Sequence, residues 1–221
     1  MKLEKLQFVV EDGVGIITMN YMKNLNAIDD QMADELMYVV DTCENDPNVT
    51  DGLKRMSKLV ISSVSGAAAG AGVSLAFSGD FVVCADNAKF IMAFVNLGLV
   101  PDTGGTYLFV KSLGIQKAME LCVTGRPMKA QEAKDAGMVY DVVPAEELDD
   151  TVMKLAKKFA SGPLLSYKNI KKQIYQAGLA DYKKYLDECE IPTQRECAAS
   201  SDFIEGVKAF MEKRKAEFKG E

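Results

Sequence analysis

No histidine occurs anywhere in these 221 residues. A Ser-His-Asp or Cys-His device is therefore excluded, and the commonest zinc ligand is missing. Proton transfer must fall to Asp, Glu, Lys, Tyr or Cys. Two turns offer room for such chemistry. The first, Ser65 to Gly72, reads SGAAAGAG and follows an apolar, β-branched run from Leu59 to Val64. A strand that ends in a glycine-rich turn and then opens a helix presents free backbone N–H groups, and with the helix dipole these attract negative charge. Gly70 and Gly72 have no Cβ, so a ligand can approach the backbone closely there. The second turn is Pro101-Asp102-Thr103-Gly104-Gly105. The first turn reads as an oxyanion site and the second as the source of an acid/base group, Asp102. Each also has a plainer reading. The first is equally a tight helix–strand packing turn, and Asp102 equally the N-cap of a helix beginning at Thr103, a position that Asp fills well.

Other candidates are weaker. A dinucleotide fingerprint fails because Leu75 stands where the last glycine belongs, and the phosphate-loop lysine is absent. Asp80 and Asp86 flank a strand and read as turn or cap residues. Ser74 falls on the short apolar helix pattern from Val73 to Phe77 and reads as an exposed helix serine, although it has the chemistry to orient a substrate group.

The elements that must hold these turns are short. Leu6 to Val10 and Val14 to Met19 are strand patterns about Glu11-Asp12-Gly13, a hairpin signal. Asp29-Asp30 starts a helix with apolar positions Met32, Leu36, Val39, Val40 and Cys43, stopping near Asn45-Asp46-Pro47. Phe81 to Ala85, Ala88 to Met92 and Met138 to Val143 are further strands. Thr103 to Leu113 and Gln116 to Val123 are helices divided by Gly114, and Ala130 to Ala136 is a short helix ended by Gly137. The rest is helical: Glu146 to Ala160, Leu164 to Gln176 with a basic face, Leu179 to Ala199, and Ser201 to Phe218. Strand–helix units before a helical tail predict an α/β core with a C-terminal helical region. At 221 residues this is one domain, or one with an appendage. The net charge of −6 argues against a nucleic-acid surface. No apolar run reaches membrane-spanning length, and Met1-Lys2-Leu3-Glu4-Lys5 does not open a signal peptide. Five cysteines without CxxC spacing are simplest as buried free thiols in a reducing, cytoplasmic setting.

The segment from Gly66 to Phe90, GAAAGAGVSLAFSGDFVVCADNAKF, and LGLVPDTGGTYLFVKSLG from Leu97 to Gly114 resemble the enoyl-CoA hydratase/isomerase (crotonase) superfamily. Val123-Thr124-Gly125-Arg126, AKDAGMVYDVVP from Ala133, and the tail FIEGVKAFMEKRKAEF from Phe203 extend the likeness over nearly the whole chain. Each motif is weak alone; together they are specific. The resemblance implies a spiral of ββα units over residues 1–160 and a helical trimerisation region over 161–221, with trimers often paired as hexamers. It places the loop's oxyanion donor on the backbone N–H of Ala71, where Ala serves if φ stays negative. Preorganised donors of this kind contribute roughly 3–4 kcal/mol each.

In the family's hydratases two glutamates activate water, and their positions here are Ser74 and Phe94. Neither can carry a proton for water addition; Phe94 reads as packing against the acyl chain. The isomerase branches, among them the ring-opening and double-bond isomerases of phenylacetate-type degradation, place an acid where Asp102 stands. The resemblance thus implies an enoyl-CoA isomerase with one carboxylate, with a hydratase or a catalytically idle, acyl-CoA-binding subunit as alternatives. It implies CoA contacts at Lys23, Asn24, Asn26 and Ala27, with Gly70 and Gly105 close to the substrate. Phe210 and Lys213 match tail positions that touch CoA from a neighbouring subunit, although Lys213 lies in a basic run near a helix C-terminus, where positive charge is favourable anyway. No metal or redox cofactor is called for. One departure is large. After Asn48-Val49-Thr50 the family usually has a central strand and a loop with half of its oxyanion hole, but here the chain passes straight to Asp51-Gly52-Leu53-Lys54. An omitted segment between 50 and 51 is favoured over a true deletion, because losing a core strand leaves its neighbours with unpaired backbone groups.

Overall fold

The computed structural model describes residues 1–44, 53 and 56–220. The chain opens with the expected hairpin: β1 (Leu6–Glu11) and β2 (Val14–Met19) pair antiparallel across Asp12 and Gly13, both at positive φ. α1 (Asp30–Glu44) follows, capped by Asp29, whose Oδ1 accepts from the Met32 N–H at 3.0 Å. Met32, Leu36, Val39 and Val40 are buried on its inner face. The predicted stop at 45–47 and the junction between 50 and 51 lie outside the described residues.

From residue 61 the chain shuttles between two small sheets. β3 (Ile61–Val64) leads to β4 (Ala67–Ala69) and α2 (Ala71–Ala76). β5 (Phe81–Ala85) leads to β6 (Lys89–Ile91), and β7 (Met128–Lys129) leads through a short helix to β8 (Asp141–Val143). One sheet has the order β3-β5-β8, all parallel. The other has the order β4-β6-β7, with β4 parallel and β7 antiparallel to β6. Each strand–strand–helix unit advances a spiral by one strand, so the fold is an α/β spiral of ββα units. α3 (Gly105–Thr124), α4 (Ala130–Asp135) and α5 (Leu148–Ala160) cover it. Gly114 breaks α3 as predicted, at φ 76° and ψ 165°. The main core lies between the sheets and α3, where Phe77, Phe90 and Phe109 meet, Phe77 and Phe90 with ring centroids 4.6 Å apart.

The C-terminal region is helical: α6 (Leu164–Gly178), α7 (Tyr182–Tyr185), a π turn over Leu186–Glu190, α8 (Ile191–Ala198) and α9 (Ser201–Glu212). The expected single helix from 179 to 199 is thus subdivided. The last helix stops at Glu212, not Phe218, because Lys213 takes the left-handed conformation. The predicted strand from Leu59 begins at Ile61, and only Val64 in it is fully buried. Of the cysteines, Cys84, Cys122, Cys189 and Cys197 are free, and Cys84 alone among them is fully buried. No described helix is long and apolar enough to cross a membrane.

Asp80 corrects the sequence reading. It is no surface cap: its carboxylate accepts from Lys171 Nζ at 2.8 Å, from the Tyr175 hydroxyl at 2.6 Å and from the Val60 N–H at 2.7 Å. Lys171, in the helix read as basic on one face, is buried and also donates to the carbonyls of Leu53 and Lys58. A buried pair is tolerable only when its remaining polar atoms are hydrogen-bonded, and this one is. It ties α6 to the strand-entry loops of the spiral.

Candidate active site

The two turns singled out in the sequence meet in space. Gly70, at φ 54°, swings the chain from β4 into α2 and donates its N–H to the Ile91 carbonyl at 2.9 Å. Ala71 is the first residue of α2 and is not among the residues at positive φ, so its Cβ is accommodated without strain. As the first helical residue its N–H has no intrahelical acceptor. One turn further on, Ser74 is completely buried. This overturns the exposed-serine reading, and the reason is the second turn, which covers α2. Thr103 donates its hydroxyl to Ser74 Oγ at 2.7 Å. A Cβ on Gly105 would stand 2.8 Å from both Ser74 Oγ and Met92 Cε, so only glycine lets the second turn approach this closely. Phe94, in the 3-10 turn Ala93–Leu97, places its ring 3.8 Å from the Cβ position of Gly70. Gly70, Ala71, Ser74, Phe94, Thr103 and Gly105 are therefore one neighbourhood, with Asp102 on its rim.

Asp102 is not a helix cap. α3 begins at Gly105, its N-cap is Gly104, and no side chain of the turn caps it. The Asp102 carboxyl is half-buried, and loss of water around it raises its pKa, opposed by its own backbone N–H.

The orphan N–H groups of α3 are satisfied from 86 residues away. Glu190, at the end of the π turn, accepts from the Gly104 N–H at 2.6 Å and from the Tyr107 N–H at 3.2 Å. It is buried, and desolvation raises its pKa against the pull of these N–H groups and of Thr106. Four residues on, Gln194 Oε1 accepts from the Val100 N–H at 3.1 Å. The Tyr182 hydroxyl reaches the Thr103 carbonyl at 3.4 Å and occupies the space a side chain on Gly104 would need. Sequence reasoning missed Glu190 because an acidic residue in a helix usually reads as solvated.

The expected CoA contacts are separate. Lys23 and Asn24 belong to the 3-10 turn Met22–Asn24, with Lys23 exposed. Asn26 takes φ 56° and its Oδ1 accepts from the Tyr21 N–H at 2.6 Å; Ala27 follows, exposed. This turn flanks α2, because Tyr21 and Ile28 pack with Leu75 against Leu6, Met32 and Leu36. Phe210 and Lys213 sit at the exposed end of α9. α9 itself lies on the turn that carries Phe94: a Cβ on Gly206 would meet the Leu97 backbone at 2.7 Å.

The sequence model of the enoyl-CoA hydratase/isomerase family matches residues 48–221. The chain is 37% identical over 188 residues to a trans-2-decenoyl-[acyl-carrier-protein] isomerase of Streptococcus mutans, covering 85% of this chain and 71% of that one. It is 42% identical over 168 residues to a 1,2-epoxyphenylacetyl-CoA isomerase of Escherichia coli, covering 76% and 64% respectively. Its fold superposes on the crystal structure of an enoyl-CoA hydratase from Mycobacterium avium subsp. paratuberculosis with a TM-score of 0.93, at 27% identity, over 99% of this chain and 100% of that one. With its ββα spiral, its helical C-terminal region and a profile match across most of its length, the chain belongs to the enoyl-CoA hydratase/isomerase, or crotonase, family.

Proposed function

We propose that the chain is an acyl-CoA isomerase that shifts a double bond in an enoyl thioester, with Asp102 as its single acid/base. The observation that carries this reading is that Asp102 is released from capping. Glu190 satisfies the helix start, leaving a half-buried carboxyl of raised pKa on the rim of a neighbourhood where Ser74 and Phe94 offer no second carboxylate. The Asp102 carboxylate takes a proton from the alpha carbon of a 3-enoyl thioester. The electron pair delocalises into a dienolate, whose oxygen is held by the Ala71 N–H. The Asp102 carboxyl then returns the proton at the gamma carbon, and the double bond ends in conjugation with the thioester. One proton leaves and one returns, so no water is activated and no metal or redox cofactor takes part.

Gly70 and Gly105 keep the backbone open to the thioester, and Phe94 lies against the acyl chain. Lys23, Asn24, Asn26 and Ala27 receive the CoA moiety. Phe210 and Lys213 reach CoA in a neighbouring subunit of a homotrimer or hexamer, supported by the exposed apolar Ile204, Phe210 and Met211 on α9. The isomerases among the relatives agree with this reading. The solved hydratase of the same fold keeps water addition as the second reading.

Turnover of matched 3-enoyl-CoA and 2-enoyl-CoA substrates by the wild type and Asp102→Asn decides between them. Isomerisation should fall about 100- to 10,000-fold in the variant. Hydration as the main activity, untouched by the substitution, refutes the reading.

A further inference from the structure

We propose that Glu190 and Gln194 are positioning residues that grip the Asp102 turn from one face of the C-terminal helix. They are four residues apart, one turn of continuous helix across the π turn and α8, and so lie on the same side. Their acceptor atoms reach Gly104 and Val100, the residues two after and two before Asp102. One helical turn thus spans the four-residue interval of the loop and brackets the acid between two pins. Pro101 lies inside the bracket with its φ fixed by the ring. Further bonds close the frame. Tyr182 donates to the Thr103 carbonyl, Thr103 donates to Ser74 on α2, and Glu190 takes a second backbone donor from Tyr107.

Glu190 is 2% exposed, so it cannot meet a substrate. Its carboxylate is instead spent on the backbone of the loop, where Gly104 and Gly105 would bring conformational freedom if unpinned. The π turn that ends on Glu190 inserts an extra residue into the helix, a device common where a side chain must be re-aimed. The C-terminal helices therefore fix the acid/base of their own subunit.

This inference rests on the reading of Asp102 as the base, and the test separates the two. Amide hydrogen exchange and steady-state isomerisation are measured on the full chain for the wild type, Glu190→Gln, Gln194→Ala and Asp102→Asn. In Glu190→Gln the amides of Gly104 and Tyr107 should exchange about tenfold faster, and kcat should fall about 100-fold with KM within about threefold, since a misplaced acid loses rate before affinity. Gln194→Ala, which removes one pin, should cost about fivefold in kcat. If Glu190→Gln does not fold, Gln194→Ala carries the test alone, and an unchanged Val100 amide and kcat there overturn the proposal. Wild-type exchange and kcat in Glu190→Gln, beside an inactive Asp102→Asn, overturn the positioning role while leaving the base intact. Full activity in Asp102→Asn overturns the base, and the exchange data still decide whether the grip exists.

Discussion

Among the described residues two buried glutamates hold backbone N–H groups, one at each end of the fold, and their surroundings shift them oppositely. Glu35 on α1 accepts from the N–H groups of Glu4, Lys5 and Leu6 at 2.9 to 3.0 Å and from the Gln31 amide, fastening the entry to the N-terminal hairpin. Burial pushes its pKa up, yet these donors outweigh it, and the net shift is downward. Glu190 does the same work for the Asp102 turn, but desolvation wins and its pKa rises. The difference lies in what stands overhead. Glu35 takes two of its bonds from the exposed Glu4 and Gln31, whereas Glu190 takes its bonds from the buried Gly104 and Tyr107. The lesson is that the same clamp serves stability where water is near and geometry where it is not.

The largest effect should come from Gly104, with Gly13 as its counterpart in the hairpin. Gly104 has φ 82° and abuts Tyr182, while Gly13 has φ 77° and nothing within 4 Å of its Cβ position. Gly104→Ala should cost about 3–4 kcal/mol, combining left-handed strain with overpacking, and Gly13→Ala about 1 kcal/mol from strain alone. Urea unfolding of both gives the difference; equal losses would mean that the Asp102 turn is no more tightly packed than an open hairpin.

Next comes Glu35→Ala, which orphans three backbone donors at once. It should lower stability by about 2–3 kcal/mol while leaving isomerisation per folded molecule unchanged. A matching drop in kcat would erase the division of labour drawn above.

The smallest effect concerns pH, and its sign differs between the two. A carboxyl whose pKa is lowered on folding stabilises above the ordinary glutamate value of 4.5, and this is lost as pH falls through the folded value. Glu35 should behave so. For Glu190, raised on folding, the folded state holds the proton longer than the unfolded chain. Its contribution is complete below the ordinary value and is lost as pH rises through the folded one. Unfolding midpoints across this range should show Glu35→Gln approaching the wild type in acid. Glu190→Gln should instead flatten the decline on the other side. Parallel curves for both variants would contradict the opposite shifts.

Local features were legible in the sequence because they depend on local physics. The Asp12-Gly13 hairpin, the Gly114 break, the Asp29 cap and the Pro101 to Gly105 turn all follow from backbone preferences of the residues themselves. What stayed hidden was decided at long range. Asp102 looked like a cap because Asp caps well, but Glu190 takes that role from the far end of the chain. Ser74 read as an exposed helix serine and Asp80 as a turn or cap residue, because small and acidic residues usually fill such places. One is sealed by a glycine at 105, and the other by a lysine 91 residues away. No periodicity carries that information. The family motifs pointed to the two turns of the site without showing what fixes them.

The crowd of tyrosines around Gly104 has a spectroscopic consequence. The chain has no tryptophan and eight tyrosines, so its longest-wavelength ultraviolet absorption is phenolic. Tyr107 stands with its ring centroid 5.3 Å from those of Tyr182 and Tyr185. Chromophores this close couple, and their dichroism depends on their mutual orientation. The near-ultraviolet circular dichroism of the unlabelled protein is therefore weighted toward one small region, and an optical signal that any laboratory can record follows the loop that carries Asp102.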